Sequence, residues 1–207
     1  LSAVAADASH YLLTPGALVR ATTADDVACA MTAARRHKVG LTFRSGGTSL
    51  SGQGLTDGIM VDTRRAFRGI EVLDEGRRVR VQPGATIRAV NTVLARYQRK
   101  LGPDPASSVA CTVGGVLADN SSGMSCGTIA NSYQTLESMV IVLASGTVLD
   151  TADPDADDKL CSTEPGLVEI LLRLRETCRR PEHAERIRHL FSMKNTMGYG
   201  LNSFLDH

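Results

Sequence analysis

Arg44-Ser45-Gly46-Gly47-Thr48-Ser49-Leu50-Ser51-Gly52-Gln53-Gly54 follows directly on the strand-like run Leu41-Thr42-Phe43, and the reading of this stretch decides the fold. Glycines let a backbone turn sharply and come close to a ligand. Successive N–H groups, joined by the hydroxyls of Ser45, Thr48, Ser49 and Ser51, make a nest of donors. No acidic side chain occurs between Val39 and Thr56, so the loop suits a phosphate. Two common nucleotide motifs fail against it. Gly47 and Gly52 have the G-x-x-x-x-G spacing, but Gln53 stands where a P-loop needs lysine. No G-x-G-x-x-G follows the strand with a ribose-binding acid beyond it, which disfavours a Rossmann site. On composition alone, a flexible polar surface loop is the competing account.

Upstream of the loop, Leu18-Val19-Arg20 reads as a strand. A helix then opens at Thr22-Thr23-Ala24-Asp25-Asp26, with Thr23 as cap and Val27, Ala30, Met31 and Ala34 on its apolar face, until Gly40 stops it. Downstream, Ile59-Met60-Val61-Asp62 is a strand, and the runs 69–73 and 78–81 form a hairpin about Asp74-Glu75-Gly76. A helix is expected over 86–99, and a buried hairpin over 139–149. The acidic run 153–158 reads as a surface linker, followed by a helix over 164–179 with the stripe Leu167, Val168, Leu171, Leu174 and Cys178. Another helical segment follows Pro181. Hairpins mixed with crossovers predict an α+β fold, divided into a first unit over 1–150 and the start of a second over 151–207.

A second segment poor in bulky side chains runs from Pro103-Asp104-Pro105-Ala106-Ser107-Ser108 through Thr112-Val113-Gly114-Gly115-Val116-Leu117-Ala118-Asp119-Asn120-Ser121-Ser122-Gly123. A short helix starting at Thr112-Val113 would present free N–H groups to an anion. Two such segments, far apart in sequence, are able to clasp a diphosphate cofactor. Equally, Gly114, Gly115 and Ala118 are able to serve only close packing of backbones.

R-S-G-G-T-S-L-S-G-Q, V-Q-P-G-A, G-P-D-P-A-S and T-V-G-G-V-L-A-D-N-S-S-G, in this order and spacing, resemble the flavin-binding (PCMH-type) domain of the vanillyl-alcohol oxidase and p-cresol methylhydroxylase superfamily. Within it they are most similar to the FAD-linked D-lactate, glycolate and D-2-hydroxyglutarate dehydrogenases. Each motif alone is weak, but four in register over nearly the whole chain are specific. The resemblance implies a two-subdomain α+β flavin fold with the second subdomain truncated. It makes Arg44, Ser45, Gly46, Gly47, Thr48, Ser49, Leu50, Ser51 and Gln53 the phosphate loop and Pro83-Gly84 a turn near the cofactor. Asp104, Ser107, Thr112, Gly114, Gly115, Asn120 and Gly123 would wrap the ribityl, diphosphate or flavin. Thr48 stands where relatives with covalently held flavin often carry histidine, so the FAD is expected to be non-covalent.

The stretch Met193-Lys194-Asn195-Thr196-Met197-Gly198-Tyr199-Gly200-Leu201-Asn202 resembles a substrate-side segment of the hydroxy-acid dehydrogenases, closest to large oxidases with a C-terminal iron-sulfur module. Lys194 would pair with a substrate carboxylate and Asn195 would lie beside it. An ordinary surface lysine is the alternative. Ser45 departs from a commoner triple-glycine loop, and Asn131-Ser132-Tyr133-Gln134 from an arginine-tyrosine-glycine stretch. The family's later glycine-rich segment, its substrate domain, metal-binding histidines and cluster cysteines have no counterpart here. The expectation is therefore a fragment without catalytic residues of its own. Its parent would oxidise a small 2-hydroxy acid and pass electrons to an iron-sulfur module or a quinone. A non-catalytic nucleotide-binding module and a nucleotide-sugar reductase on the same fold stand as the rival readings.

Composition agrees with an ordinary globular chain of 207 residues, 43% hydrophobic and 22% charged. A formal net charge of +1 and 4% aromatic content give no basic face or stacking platform for nucleic acid. Five cysteines without a C-x-x-C pair argue for reduced thiols and a cytoplasmic setting, with peripheral membrane attachment of the parent left open. No integral membrane segment and no metal site is expected, since the histidines lack ligand spacing and 153–158 lacks the glycine and glutamate of a calcium loop.

Overall fold

The computed structural model describes residues 1–195 and 199–207. β1 (Ala17–Arg20), α1 (Ala24–His37), β2 (Leu41–Arg44) and β3 (Ile59–Asp62) build a three-stranded sheet of order β1-β3-β2, with both pairings parallel. The sequence pattern underrated this parallel character, because the return from β2 to β3 runs through the glycine-rich loop instead of a helix. β3 is central and deeply buried: Met60 and Val61 are fully enclosed. Each such side chain contributes roughly 1.5–3 kcal/mol by leaving water. α1 covers the sheet, packing Val27 and Ala30 against Ala21 and Val61. Its start is a capping box, in which Thr23 Oγ1 accepts from the Asp26 N–H and the Asp26 carboxylate accepts from the Thr23 N–H. Its end is set two residues before Gly40, by Lys38 in the left-handed region (φ 53°).

β4 (Ile70–Leu73) and β5 (Arg78–Val81) form the expected antiparallel hairpin. α2 (Ile87–Leu94) lies on it, with Val90, Leu94 and Ala85 enclosed by Ile70, Val72, Val79 and Val81. This helix is shorter than the 86–99 expected. It tightens to a 3-10 turn at Ala95–Tyr97 and closes at Gln98 (φ 55°). α3 (Val113–Ala118) and α4 (Ser132–Thr135) follow, then the hairpin of β6 (Val140–Val142) and β7 (Val148–Asp150). That hairpin is only partly buried: Leu149 is enclosed while Val140 is exposed.

α5 (Ala156–Thr163), α6 (Pro165–Cys178), α7 (Pro181–Phe191) and α8 (Ser203–Asp206) complete the chain. The acidic run expected to be a linker contains the first turn of α5, where Asp157 and Asp158 suit the positive end of the helix. The α6 stripe is largely uncovered, with Cys178 buried but Leu171 and Leu174 exposed. All five cysteines are free; Cys111, Cys126 and Cys178 are buried, and Cys29 and Cys161 are exposed. Among the described residues no helix is long and apolar enough to cross a membrane.

Candidate functional site

The loop after β2 is carried by the buried Arg44. Its guanidinium donates from Nη2 to the Ala6 carbonyl (2.7 Å) and from Nη1 to the Gly54 carbonyl (3.2 Å), while Nε has no partner among the described residues. Gly47 (φ 66°) lies close against this guanidinium, and a Cβ there would fall 2.5 Å from Nη2. Burial works against the charge, as does the nearby Arg64, while Asp7 and Asp62 favour it. None of the ion pairs among the described residues includes Arg44. Asp62 is engaged instead by Arg64, which donates to both its oxygens (2.9 and 2.7 Å). Burial would raise the Asp62 carboxyl, but those bonds overcome it and hold the group below its usual value.

The outer part of the loop is a set of donors without acceptors. The N–H groups of Gly46, Gly47, Thr48, Ser49 and Leu50 donate to nothing among the described residues. The Ser49 hydroxyl turns inward to the Gln53 side chain and also accepts from the Ser51 N–H. A run of N–H groups without acceptors beside a buried cation favours an anion.

The two segments singled out in the sequence meet here. The Ser45 and Thr112 hydroxyls lie 2.6 Å apart, and Gly115 faces Ser45 so closely that a Cβ would come 2.5 Å from Oγ. A Cβ on Gly46 would lie 2.2 Å from the Ala110 carbonyl oxygen. The turn at Pro83-Gly84 is the third wall. Gly114 donates to the Pro83 carbonyl (2.9 Å) and Val113 to the Ala85 carbonyl (2.9 Å). This corrects the expectation of free N–H groups at the start of α3, because those two are spent on bracing the helix against the turn.

The rest of the second segment is organised by Asp104 and Ser107. The Asp104 carboxylate accepts from the N–H and hydroxyl of Ser125, and the hydroxyl bond leads in holding it below the usual carboxylate range. The backbones of Asp104 and Gly123 pair in parallel, and Gly123 (φ 83°) leaves no room for a Cβ. The Ser107 carbonyl accepts from the Ala110 and Cys111 N–H groups (both 2.8 Å). Asn120 is left-handed (φ 49°). Its Oδ1 and the Ser122 Oγ are buried without a partner among the described residues.

The Lys194 ammonium donates to the Gly123 carbonyl, so the predicted substrate lysine is tied to the second segment. Asn120, Asn131, Tyr133, Asn195 and Asn202 line a small cavity of ≈ 40 Å³, which brings a predicted cofactor residue and a predicted substrate residue together. Burial, followed by the hydrogen bond to Asp206 (3.0 Å), pushes the Tyr133 phenol up to about 12. Thr196, Met197 and Gly198 of the predicted substrate-side stretch lie outside the described residues. A separate open groove of ≈ 400 Å³ between α1 and the Ser145-Gly146 turn involves none of the predicted site residues.

One contributor was missed in the sequence. The chain before β1 crosses the loop: Ala8 donates to the Gly47 carbonyl (2.9 Å), Ala6 receives Arg44, and Tyr11 packs against Gly52. The only sequence signal for it was Asp7-Ala8-Ser9, a local turn in which the Asp7 carboxylate accepts from the Ser9 N–H (2.8 Å).

The FAD binding domain family matches residues 15–152, and the chain belongs to it, as its motifs implied. It is an FAD-binding domain of the flavin oxidoreductases, close to the 2-hydroxy-acid dehydrogenases. It is 34% identical to a D-2-hydroxyglutarate dehydrogenase of Pseudomonas putida over 98% of this chain and 21% of that protein. It is 32% identical to the glycolate oxidase subunit GlcD of Escherichia coli over 57% of this chain and 24% of that protein. The chain thus spans about a fifth to a quarter of the length of these curated relatives. Among solved structures, 6-hydroxy-D-nicotine oxidase from Arthrobacter nicotinovorans shares the fold with a TM-score of 0.63 at 23% identity, over 76% of this chain and 34% of that one. Xylooligosaccharide oxidase from Myceliophthora thermophila C1 gives 0.61 at 25% identity, over 72% and 32%.

Proposed function

We propose that this chain is the dinucleotide-holding part of a longer flavoenzyme that oxidises a small 2-hydroxy acid. The observation that carries the reading is the row of acceptor-free N–H groups at residues 46–50, next to the buried Arg44 and beside the converging second segment. That donor set matches the negative bridge of FAD, and the orphaned Asn120 Oδ1 and Ser122 Oγ are further polar groups suited to its ribityl chain.

When bound, the flavin would supply the electron chemistry, as the acceptor of a hydride from the substrate's carbinol carbon. This chain's own work is positional and electrostatic. The loop N–H groups bind the diphosphate, Arg44 shapes the loop from beneath, and the Ser45–Thr112 contact holds the two segments in register. Lys194, at the Gly123 carbonyl, carries a positive charge to the edge of the second segment, where a substrate carboxylate would be drawn. The proton of the substrate hydroxyl would go to a base on the remainder of the enzyme. Electrons would leave for an iron-sulfur module or quinone carried there. Thr48 offers a hydroxyl in place of an imidazole, so the flavin is held without a covalent bond.

The test is to purify the full-length protein, record its flavin spectrum, and add D-lactate, glycolate or D-2-hydroxyglutarate anaerobically. Bleaching by one of these, with FAD released intact on acid denaturation, is the expected result. A colourless protein that takes up no added FAD would overturn the reading.

A further inference from the structure

A buried guanidinium with no carboxylate paired to it is costly, by several kcal/mol even after relaxation. Arg44 is only 6% exposed, and its two hydrogen bonds go to backbone carbonyls; the nearby Asp7 and Asp62 carboxylates favour its charge, but neither forms an ion pair with it among the described residues. One of those carbonyls, Ala6, belongs to the segment that precedes β1. The same segment donates the Ala8 N–H to the carbonyl of Gly47, whose own N–H is one of the acceptor-free donors. Tyr11 then covers Gly52 at the far side of the loop. The strap and the anion nest therefore share one piece of backbone, with one charge beneath it.

From this we infer that residues 5–11 are a strap whose docking is coupled, through Arg44, to occupation of the loop by a diphosphate. Arg44 is a positioning residue in this arrangement. Its charge favours the anion through the loop, and its fork holds the strap, so that a bound anion adds to the partial compensation that Asp7 of the strap and Asp62 already give. Coupling of this kind is reciprocal: the anion tightens the strap by the same factor by which the strap tightens the anion. The inference deepens the flavin reading, since it concerns the same loop, but it can fail separately.

The readout is chymotryptic cleavage after the exposed Tyr11 in the full-length apoprotein, followed by mass, without ligand and with inorganic pyrophosphate, ADP or FAD. Each ligand is expected to slow that cleavage about tenfold at saturation, the size of a lost charge-assisted contact. Arg44→Met should abolish the ligand-dependent protection, and Arg44→Lys should restore part of it. If Arg44→Met does not fold, Ala8→Pro removes the N–H given to Gly47 while leaving the charge. It should speed cleavage and weaken pyrophosphate binding together. Tight FAD binding with cleavage at Tyr11 unchanged would overturn the coupling and leave the flavin reading intact. Protection by pyrophosphate without any FAD binding would keep the coupling and sink the flavin reading.

Discussion

The two small-residue segments look alike as strings, yet the fold uses them in opposite ways. In residues 46–50 the backbone donors are left open, and the loop is held from outside, by Arg44 below and the strap across it. In the segment that follows Ala110 the first two donors of α3, Val113 and Gly114, are taken by the Ala85 and Pro83 carbonyls, and glycine serves close approach to neighbours. A run of glycine and serine is therefore a licence for two different things, and which one is realised depends on whether neighbouring carbonyls reach the N–H groups first.

The comparison is broken most severely at the contact between the segments. Gly46→Ala would set a methyl against the Ala110 carbonyl, and is expected to cost about 3 kcal/mol of stability along with FAD binding. Urea unfolding and flavin titration read both. Ser45→Ala removes the 2.6 Å hydroxyl contact and leaves the buried Thr112 hydroxyl unpaired, for about 1–2 kcal/mol. The urea midpoint should shift with its slope unchanged.

Acid separates the segments more gently. Asp104 has a folded pKa below its unfolded value, so its contribution is present above about pH 3.9 and is lost as pH falls through the folded pKa. Ser125→Ala should return the Asp104 titration toward the ordinary carboxylate range, as followed by carboxyl-carbon NMR. Arg44 stays charged throughout that window, so its ties to Ala6 and Gly54 carry no such acid step. The smallest effect is expected outside both segments. A methyl group on Gly40 would meet nothing within 4 Å, and Gly40→Ala should stabilise by no more than ~0.5 kcal/mol in the same urea assay.

Much of the secondary structure was legible because it rests on short-range rules. The Thr23 cap, the β4–β5 turn and the Pro181 start of α7 follow from residue chemistry within a few positions. The stripe on α6 was legible as a period but not as a buried face, because burial needs a partner that the local pattern does not name. The strap was hidden for a different reason. Its ties to the loop run largely through main-chain groups, Ala6 O and Ala8 N, and every residue type offers those.

What the order of residues determined alone was the chemistry on offer: a loop without acids, rich in N–H and hydroxyl donors, within a set of motifs spaced as in a flavin-binding domain. What tertiary structure decided was which donors remain available, since a hydrogen bond is satisfied by whatever carbonyl comes within about 3 Å, however distant in sequence. Pro83 and Ala85 reach the start of α3, while no carbonyl among the described residues reaches the N–H groups of residues 46–50. That difference, set by packing, separates the open anion nest from the closed brace.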